Sequence, residues 1–464
     1  MNVTKERRKS ILYDASRIDW ENPLFTKEAL KALLIPLMIE QLLNSFMGMA
    51  DTMMVSQVGS AAISAVSLVD SINVLVLQVF SALAAGGTIL CSQYLGSGNL
   101  KDCNRTARQV VFTILLISTV LSAVCILFRR PLLHLVFGQV EAAVMQNSEV
   151  YFLITAISFP FIGLFEAGFA FYRAGGNSRY PMTVSVISNA LNIAGNAILI
   201  FGFQLGVAGA ALSTMLSRAF CMIVVFYSLR KPKQPIVLDH YRDFKPELSL
   251  VKKILAIGIP SGIENGMFQF GKLAIQSSVS TLGTAAIAAQ AMTIILENLN
   301  GVGAIGVGIG LMTVVGQCIG AGRIEEAKYY IVRLCKIAEG VIILSCLFVF
   351  AITKPVTFLG GMEAESAKMC FQMVAAITIV KPVVWVFGFI PGYGLRAAGD
   401  VRFSMLTSSL TMWFCRVALC IYLIRGLGFG PMAVWIGMFA DWTLRGIIFS
   451  IRFLSGKWLR HKVI

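Results

Sequence analysis

Residues 35–41 read IPLMIEQ, and 224 positions later residues 259–265 read IPSGIEN. The same offset carries QYLGSGN at 93–99 onto QCIGAGR at 317–323 without a gap between the two pairs. Further on, FYRAGGNSRYPM at 171–182 matches GLRAAGDVRFSM at 394–405 at an offset of 223. The chain is therefore one unit written twice, and its architecture must be that unit repeated.

Composition says what the unit is made of. Of 464 residues 57% are hydrophobic and 14% charged, with a mean hydropathy of +0.77. Soluble domains run at about 45–50% apolar and 25% charged, and no soluble core absorbs the excess. A bilayer crossing takes about 20 apolar residues as a helix. Twelve such windows occur, near 29–54, 62–91, 107–128, 148–174, 181–204, 206–229, 250–281, 284–313, 330–352, 367–397, 403–425 and 430–455. The expected fold is an all-α polytopic membrane protein of 12 transmembrane helices in two six-helix bundles. Because six is even, both copies enter from one side, which makes the repeats parallel. The expected divisions are a lead-in 1–26, an N-lobe 27–229, a linker 230–249, a C-lobe 250–455 and a basic tail 456–464. The opening MNVTKERRKSILYDASRIDWENPLF lacks the apolar core of a cleavable signal peptide.

The net charge of +15 invites a nucleic-acid reading, so its placement decides. Cations gather after the even-numbered spans: Lys101, Arg105 and Arg108; Arg173 and Arg179; Arg230, Lys231, Lys233, Arg242, Lys245, Lys252 and Lys253; Arg323, Lys328, Arg333 and Lys336; Arg396 and Arg402. The odd loops hold only Arg129, Arg130, Lys354, Lys368 and Arg425. The positive-inside rule then places both termini in the cytoplasm and the protein in the cytoplasmic membrane. Topology accounts for the charge, and no nucleic-acid partner is expected.

Catalytic and metal chemistry find little footing. The ten cysteines form no C-x-x-C pair and lie mostly inside spans, as small packing residues. His134, His240 and His461 fall in loops or the tail, away from any nucleophile, so no enzyme is expected. GVGAIG at 301–306 fits a dinucleotide fingerprint, but it lies inside an apolar helix with no strand before it. Close helix packing by small residues explains it better.

Polar residues inside the spans are the informative ones, because even a lenient insertion scale charges about 2.5–3.5 kcal/mol for one central Asp, Lys or Arg. Glu40 and Asp51 in span 1 are three helical turns apart and share a face with Asn44. Span 5 carries Ser185, Asn189, Asn192 and Asn196 at i, i+4, i+7, i+11. Span 7 repeats that spacing with Asn265, Gln269, Lys272 and Gln276, Glu264 beside them. Span 8 holds Gln290, Thr293, Glu297 and Asn300, and span 2 holds Asp70, Asn73 and Gln78. Such stripes are expected to face a water-filled cavity.

Architectural readings compete with functional ones. Glu40 and Glu264 each follow a proline by four residues, at matching places in the two copies, and suit a structural cap or pair. Asn189 and Asn192 suit interhelical hydrogen bonding. Lys272 and Lys381 suit neutralisation of Glu264 or Glu297, or stand in for a bound cation. Arg218, Arg416 and Arg445 read as structural. Asp51 has no counterpart in the second copy, where Ile275 stands, and no basic neighbour in its own span.

The proline and aspartate of IPLMIEQLLNSFMGMADTMMV (35–55), the QYLGSGN and QCIGAGR turns, the NALNIAGNAILIFG run (189–202) and the RAGGNSRYPM and RAAGDVRF turns resemble multidrug and toxic compound extrusion (MATE) transporters. The resemblance spans about residues 27 to 455. It implies two six-helix lobes around a V-shaped cavity, alternating access, and export of organic cations and drugs in exchange for H+ or Na+, with no other cofactor and a monomeric chain in the lipid bilayer. It places Asp51 on the family's functional aspartate of the first helix, and Asn189 and Asn192 on polar positions of the fifth, where Na+ is the candidate metal. Asn196 stands where some members have a second N-lobe aspartate. Phe268 and Trp385 stand where NorM-like members have C-lobe acids, which brings the chain nearer the DinF-like side. Asp51, Glu40, Asn44, Asn189, Asn192, Asn196, Glu264, Gln269, Lys272 and Glu297 form the candidate coupling and substrate-binding set. The competing reading is a lipid-linked sugar flippase of the same superfamily, for which Lys272, Lys381 and Arg218 offer cations to a pyrophosphate.

Overall fold

The computed structural model describes residues 11–138, 140–238, 245–461 and 463–464, which leaves His240 and Arg242 outside. The described residues are helical nearly throughout, with no strand among them. A helix or a broken helix stands at each of the twelve expected windows. The first copy holds α1 (Lys27–Ser56), α2 (Ser60–Gly96), α3 (Leu100–Leu127), α4 (Arg129–Phe137), α5 (Ala142–Ile157), α6 (Phe159–Ala174), α7 (Arg179–Asn196) and α8 (Gly206–Leu229). The second holds α9 (Leu248–Val279), α10 (Thr284–Gly320), α11 (Ile324–Leu359), α12 (Ala364–Ala397), α13 (Val401–Thr411), α14 (Leu419–Arg425) and α15 (Met432–Leu454).

Among the described residues ten helical stretches are long and apolar enough to cross a bilayer, and α5 with α6 makes an eleventh if that bent pair is one span. The helix at the remaining window, α9, has 32 residues but carries Lys252, Lys253, Glu264 and Lys272, which make it too polar to qualify on composition.

The repeated motifs turn out to be helix stops. QYLGSGN and QCIGAGR end α2 and α10 with Gly98 and Gly322 at φ of 74° and 71°. RAGGN and RAAGD do the same with Gly176 and Gly399 at 80° and 97°. A side chain is strained in that left-handed region, so glycine recurs there.

Three spans are interrupted. Pro160 sits in the first turn of α6, and the α5–α6 pair is bent by 44° at Ser158. Pi-helical turns occupy Ala197–Gly202 after α7 and Met412–Ala418 between α13 and α14. A π turn re-aims side chains and concentrates at functional sites.

The residues group into two compact units. The amino unit is Leu43–Gly262, and the carboxy unit is Met1–Leu42 with Ile263–Ile464. This differs from the division expected at 230–249, because the boundaries fall inside α1 and α9. The first half of α1 packs with the second copy and the first half of α9 with the first. Small residues make both contacts possible. Within the carboxy unit a Cβ on Gly310 would come within 2.5 Å of Leu34, and one on Gly306 within 2.9 Å of the Met38 backbone. Within the amino unit a Cβ on Gly86 would lie 3.4 Å from the Gly258 nitrogen. Gly86 and Gly310, like Leu34 and Gly258, are equivalent at the offset of 224, so the two seams are one seam written twice. GVGAIG is thus a packing surface, as its surroundings predict.

Helix interiors fill the rest. Phe80, Phe152 and Phe159 lead the core of the amino unit, and Met373, Met412 and Trp435 that of the carboxy unit. Surrounded by lipid, such contacts stabilise through close packing rather than through escape from water.

Candidate functional site

The amino unit gathers Asp51 and Asp70 into one polar cluster. Asn196 is the last residue of α7 before the π turn, and its Nδ2 donates to Asp51 Oδ1 at 2.7 Å. The same nitrogen lies 3.5 Å from Asn192 Oδ1. Asn192 is anchored in turn: its Nδ2 donates to Thr214 Oγ1 at 3.3 Å, and its carbonyl accepts from Ser213 Oγ at 2.8 Å. Gly195 permits that approach, since a Cβ there would meet Ser213 Oγ at 2.4 Å. Asn44, two turns before Asp51, accepts from Ser185 Oγ at 3.3 Å. The side chains of α1 and α7 therefore meet along their stripes, Asn196 on Asp51 and Ser185 on Asn44, rather than facing an open cavity at these contacts. Asn189 lies on the stripe, and its Nδ2 is buried without a hydrogen-bond partner.

A second carboxylate supports the first. Asp70 on α2 accepts from Asn73 Nδ2 at 3.1 Å and from the Tyr151 hydroxyl at 3.2 Å. Arg218 on α8 lies within electrostatic range of Asp70, Asp51 and Tyr151, and its Nη1 donates to Ser158 Oγ at 2.7 Å. The break in the α5–α6 span therefore has a use, because it presents a hydroxyl to a buried guanidinium. Positive charge acts on Asp51 from α8, distant in sequence, where no period within span 1 reveals it. The cluster holds two acids, one cation and several amide and hydroxyl groups, an arrangement that can bind and release one small cation. Asn196 Oδ1, buried without a hydrogen-bond partner beside Asp51, is an oxygen available to such a guest. No group of three or more His, Cys, Asp or Glu suited to a metal ion occurs among the described residues.

The remaining candidates belong to the carboxy unit and are organised differently. Glu40 is 2% exposed and sits on the half of α1 that packs with the second copy, so Glu40 and Asp51 share a helix but belong to different units. Glu264 pairs with Arg396 at 3.3 Å, a partner from α12 rather than the expected Lys272 or Lys381. Glu297 pairs with Lys381, as expected, at 2.5 Å. The Lys381 ammonium also bonds Asn300 Oδ1 and, at 3.2 Å, the Glu297 carbonyl, and lies over the rings of Trp385 and Trp442. Lys272 stands in the field of Arg416 and Glu297, and Gln269 is partly exposed one turn before it.

Sequence reasoning missed Asp441. It is fully buried on α15 and accepts from Arg416 at 2.6 Å and from Arg445 at 2.7 Å. Phe268 lies against both guanidiniums, with ring centroids at 5.4 and 4.9 Å. The signal that was available is the i, i+4 pair Asp441 and Arg445 within one apolar span. Arg416 and Arg445, read as structural, form with Asp441 a closed ionic group.

Two segments of the chain, 36–198 and 260–422, each match the family model MatE, at the same offset of 224 that relates the repeats. The chain is similar to an uncharacterized transporter, YisQ, of Bacillus subtilis, with 28% identity covering 93% of this chain and 95% of that one. It is similar to a probable multidrug resistance protein NorM of Thermotoga maritima, with 27% identity covering 96% and 95%. Among solved structures, a MOP superfamily transporter from Pyrococcus furiosus, whose binding pocket is described as of reverse polarity, superposes with a TM-score of 0.87 at 19% identity over the full length of both chains.

Proposed function

The chain belongs to the MatE family of transporters, and on that premise we propose that it is a secondary active exporter of organic cations, drugs among them, coupled by Asp51 to inward movement of a proton. The observation that supports this most is the 2.7 Å bond from Asn196 to Asp51, within the field of Arg218. A coupling ion and an organic cation compete for one anionic site when that site has a single accessible carboxylate, and each then drives the other's release. Reciprocal coupling of that kind is what exchange requires.

The proton is favoured over sodium by the donors around the carboxylate. Na+ wants a shell of several oxygen atoms, whereas beside Asp51 Asn196 offers one free oxygen and turns its N–H group to the carboxylate, and Arg218 already supplies positive charge. The relative from Thermotoga maritima is named for multidrug resistance, which supports drugs as the exported class. The charge asymmetry of the loops supports a multi-pass protein of the cytoplasmic membrane with both termini inside. The flippase reading loses support at two of its three cations: Lys381 is paired with Glu297, and Arg218 lies in the field of Asp51 and Asp70.

The deciding experiment follows efflux of a fluorescent organic cation from proteoliposomes, driven separately by a proton gradient and by a sodium gradient. Proton-driven efflux in the natural chain, lost in Asp51→Asn at equal reconstitution, is the expected result. Efflux driven by sodium alone overturns the ion, and undiminished efflux by Asp51→Asn overturns the site.

A further inference from the structure

Residues 11–26 lie along the start of α11 rather than trailing free. The Leu24 amide donates to Glu326 Oε1, the Tyr330 hydroxyl to the Phe25 carbonyl and Arg323 Nη1 to the Asn22 carbonyl, each at 2.7 Å. Tyr13 and Trp20 stand edge-on to Tyr329, with centroids 5.4 and 5.1 Å away. Between this segment and α11 lies a recess of about 440 Å³ whose walls include Lys27, Arg333, Lys336 and Glu326. Glu326 is spent within the protein, held by the Leu24 amide and by Arg323 at 3.1 Å. What the recess presents is therefore positive charge among tyrosine and tryptophan rings.

A second recess, of about 370 Å³, shares Val332 and Lys336 with the first and runs between α11, α12 and α15. Ile331, Phe387, Pro391 and Phe453 make it almost wholly apolar. One acid, Glu339, lies a turn beyond Lys336, with Oε2 buried and without a hydrogen-bond partner.

A soluble anion has no use for the apolar recess, and an organic cation is repelled by Lys27, Arg333 and Lys336. An amphiphile with an anionic head satisfies both recesses at once. Basic residues at span ends attract anionic lipids, and tyrosine and tryptophan favour the headgroup layer. We propose that the two recesses form one site for an anionic phospholipid. Its phosphate lies among Lys27, Arg333 and Lys336, and one acyl chain follows the groove past Phe387 to Phe453. Glu339 stands at the depth of the glycerol esters. Only the leaflet, the cytoplasmic one, rests on the orientation proposed above.

The site is tested on purified full-length chain in detergent, where neither orientation nor transport matters. Retained lipid is counted by native mass spectrometry after adding phosphatidylglycerol or phosphatidylcholine of equal chain length, with soluble glycerol phosphate as a third arm. Phosphatidylglycerol is expected to be retained at least tenfold better than phosphatidylcholine. One basic contact to an anionic lipid is worth about fivefold, so Arg333→Gln with Lys336→Gln is expected to remove most of the preference. Val332→Trp, at the junction of the recesses, is expected to displace the lipid with all cations in place. Lys27→Gln, at the exposed first residue of α1, gives a partial loss should the double variant fail to fold. Equal retention of the two lipids by the natural chain, an undiminished preference in the variants that fold, or binding of glycerol phosphate as tight as that of lipid overturns the proposal.

Discussion

Asn196 and Asp51 are 145 residues apart and joined by a 2.7 Å hydrogen bond from amide nitrogen to carboxylate oxygen. The bond crosses from α7 to α1 at the point where α7 gives way to a π turn. It ties the one unrepeated acid of the first span to the stripe of asparagines on the fifth.

That bond gives a graded expectation. A hydrogen bond to a charged group is worth about 1.5–3 kcal/mol, so Asn196→Ala should lower coupled efflux roughly tenfold to a hundredfold at unchanged expression. Asn196→Gln, which keeps the amide on a longer arm, should recover part of it. Efflux of Asn196→Ala equal to the natural rate means the bond is ornamental.

Asp441 holds two buried arginines, so its removal leaves like charges facing each other. Breaking a buried ionic group in this way costs about 3–5 kcal/mol. Asp441→Asn should therefore lower the melting temperature in detergent sharply. Replacing Arg416, Asp441 and Arg445 together by Met, Leu and Met should restore most of it. A triple variant as unstable as the single one contradicts this account.

The Lys381 ammonium is held by three oxygens: Glu297 Oε1, the Glu297 carbonyl and Asn300 Oδ1. Those are groups suited to a hard cation. In Lys381→Ala the vacated space should accept Na+, and thermal stability should rise with NaCl but not with choline chloride at equal ionic strength. The natural chain should show no such difference. A variant indifferent to the choice of salt shows that the ammonium is no substitute for an ion.

Glycine at 306 is required by backbone, not by a movable side chain. Gly306→Val should cost about 1–3 kcal/mol by overpacking against Met38. Gly340→Ala, on α11 with nothing within 4 Å of the added carbon, should be neutral or stabilising. Comparable loss from both substitutions, measured as thermal unfolding in one detergent, places the sensitivity outside the seam.

Helix count, repeat and turn positions were legible because each is written locally, in apolar length and in glycine-bearing stops. The α1 and α7 stripes were legible for the same reason, since helical period alone brings Asn192 and Asn196 onto one face. Partnerships across distant spans were not. Arg218 acts on Asp51 and Asp70 from α8, Arg396 pairs with Glu264 from α12, and Asp441 on α15 holds Arg416 of the π turn. Which cation meets which acid depends on helix rotation and on kinks, as at Ser158, that no pattern within one span encodes. The resemblance anticipated Phe268 as a missing acid. The two guanidiniums that lie against its ring came only with the structure.

The exchange of half-helices between α1 and α9 bears on ancestry and assembly. Each copy lends the other the segment that completes it, with Leu34 filling against Gly310 what Gly258 fills against Gly86. A lone copy would lack that segment, so the fused chain has the connectivity of a segment-swapped pair whose protomers became covalently joined. A chain severed between residues 230 and 249 yields two fragments that are each missing a strut, and these should accumulate only when made together in one cell.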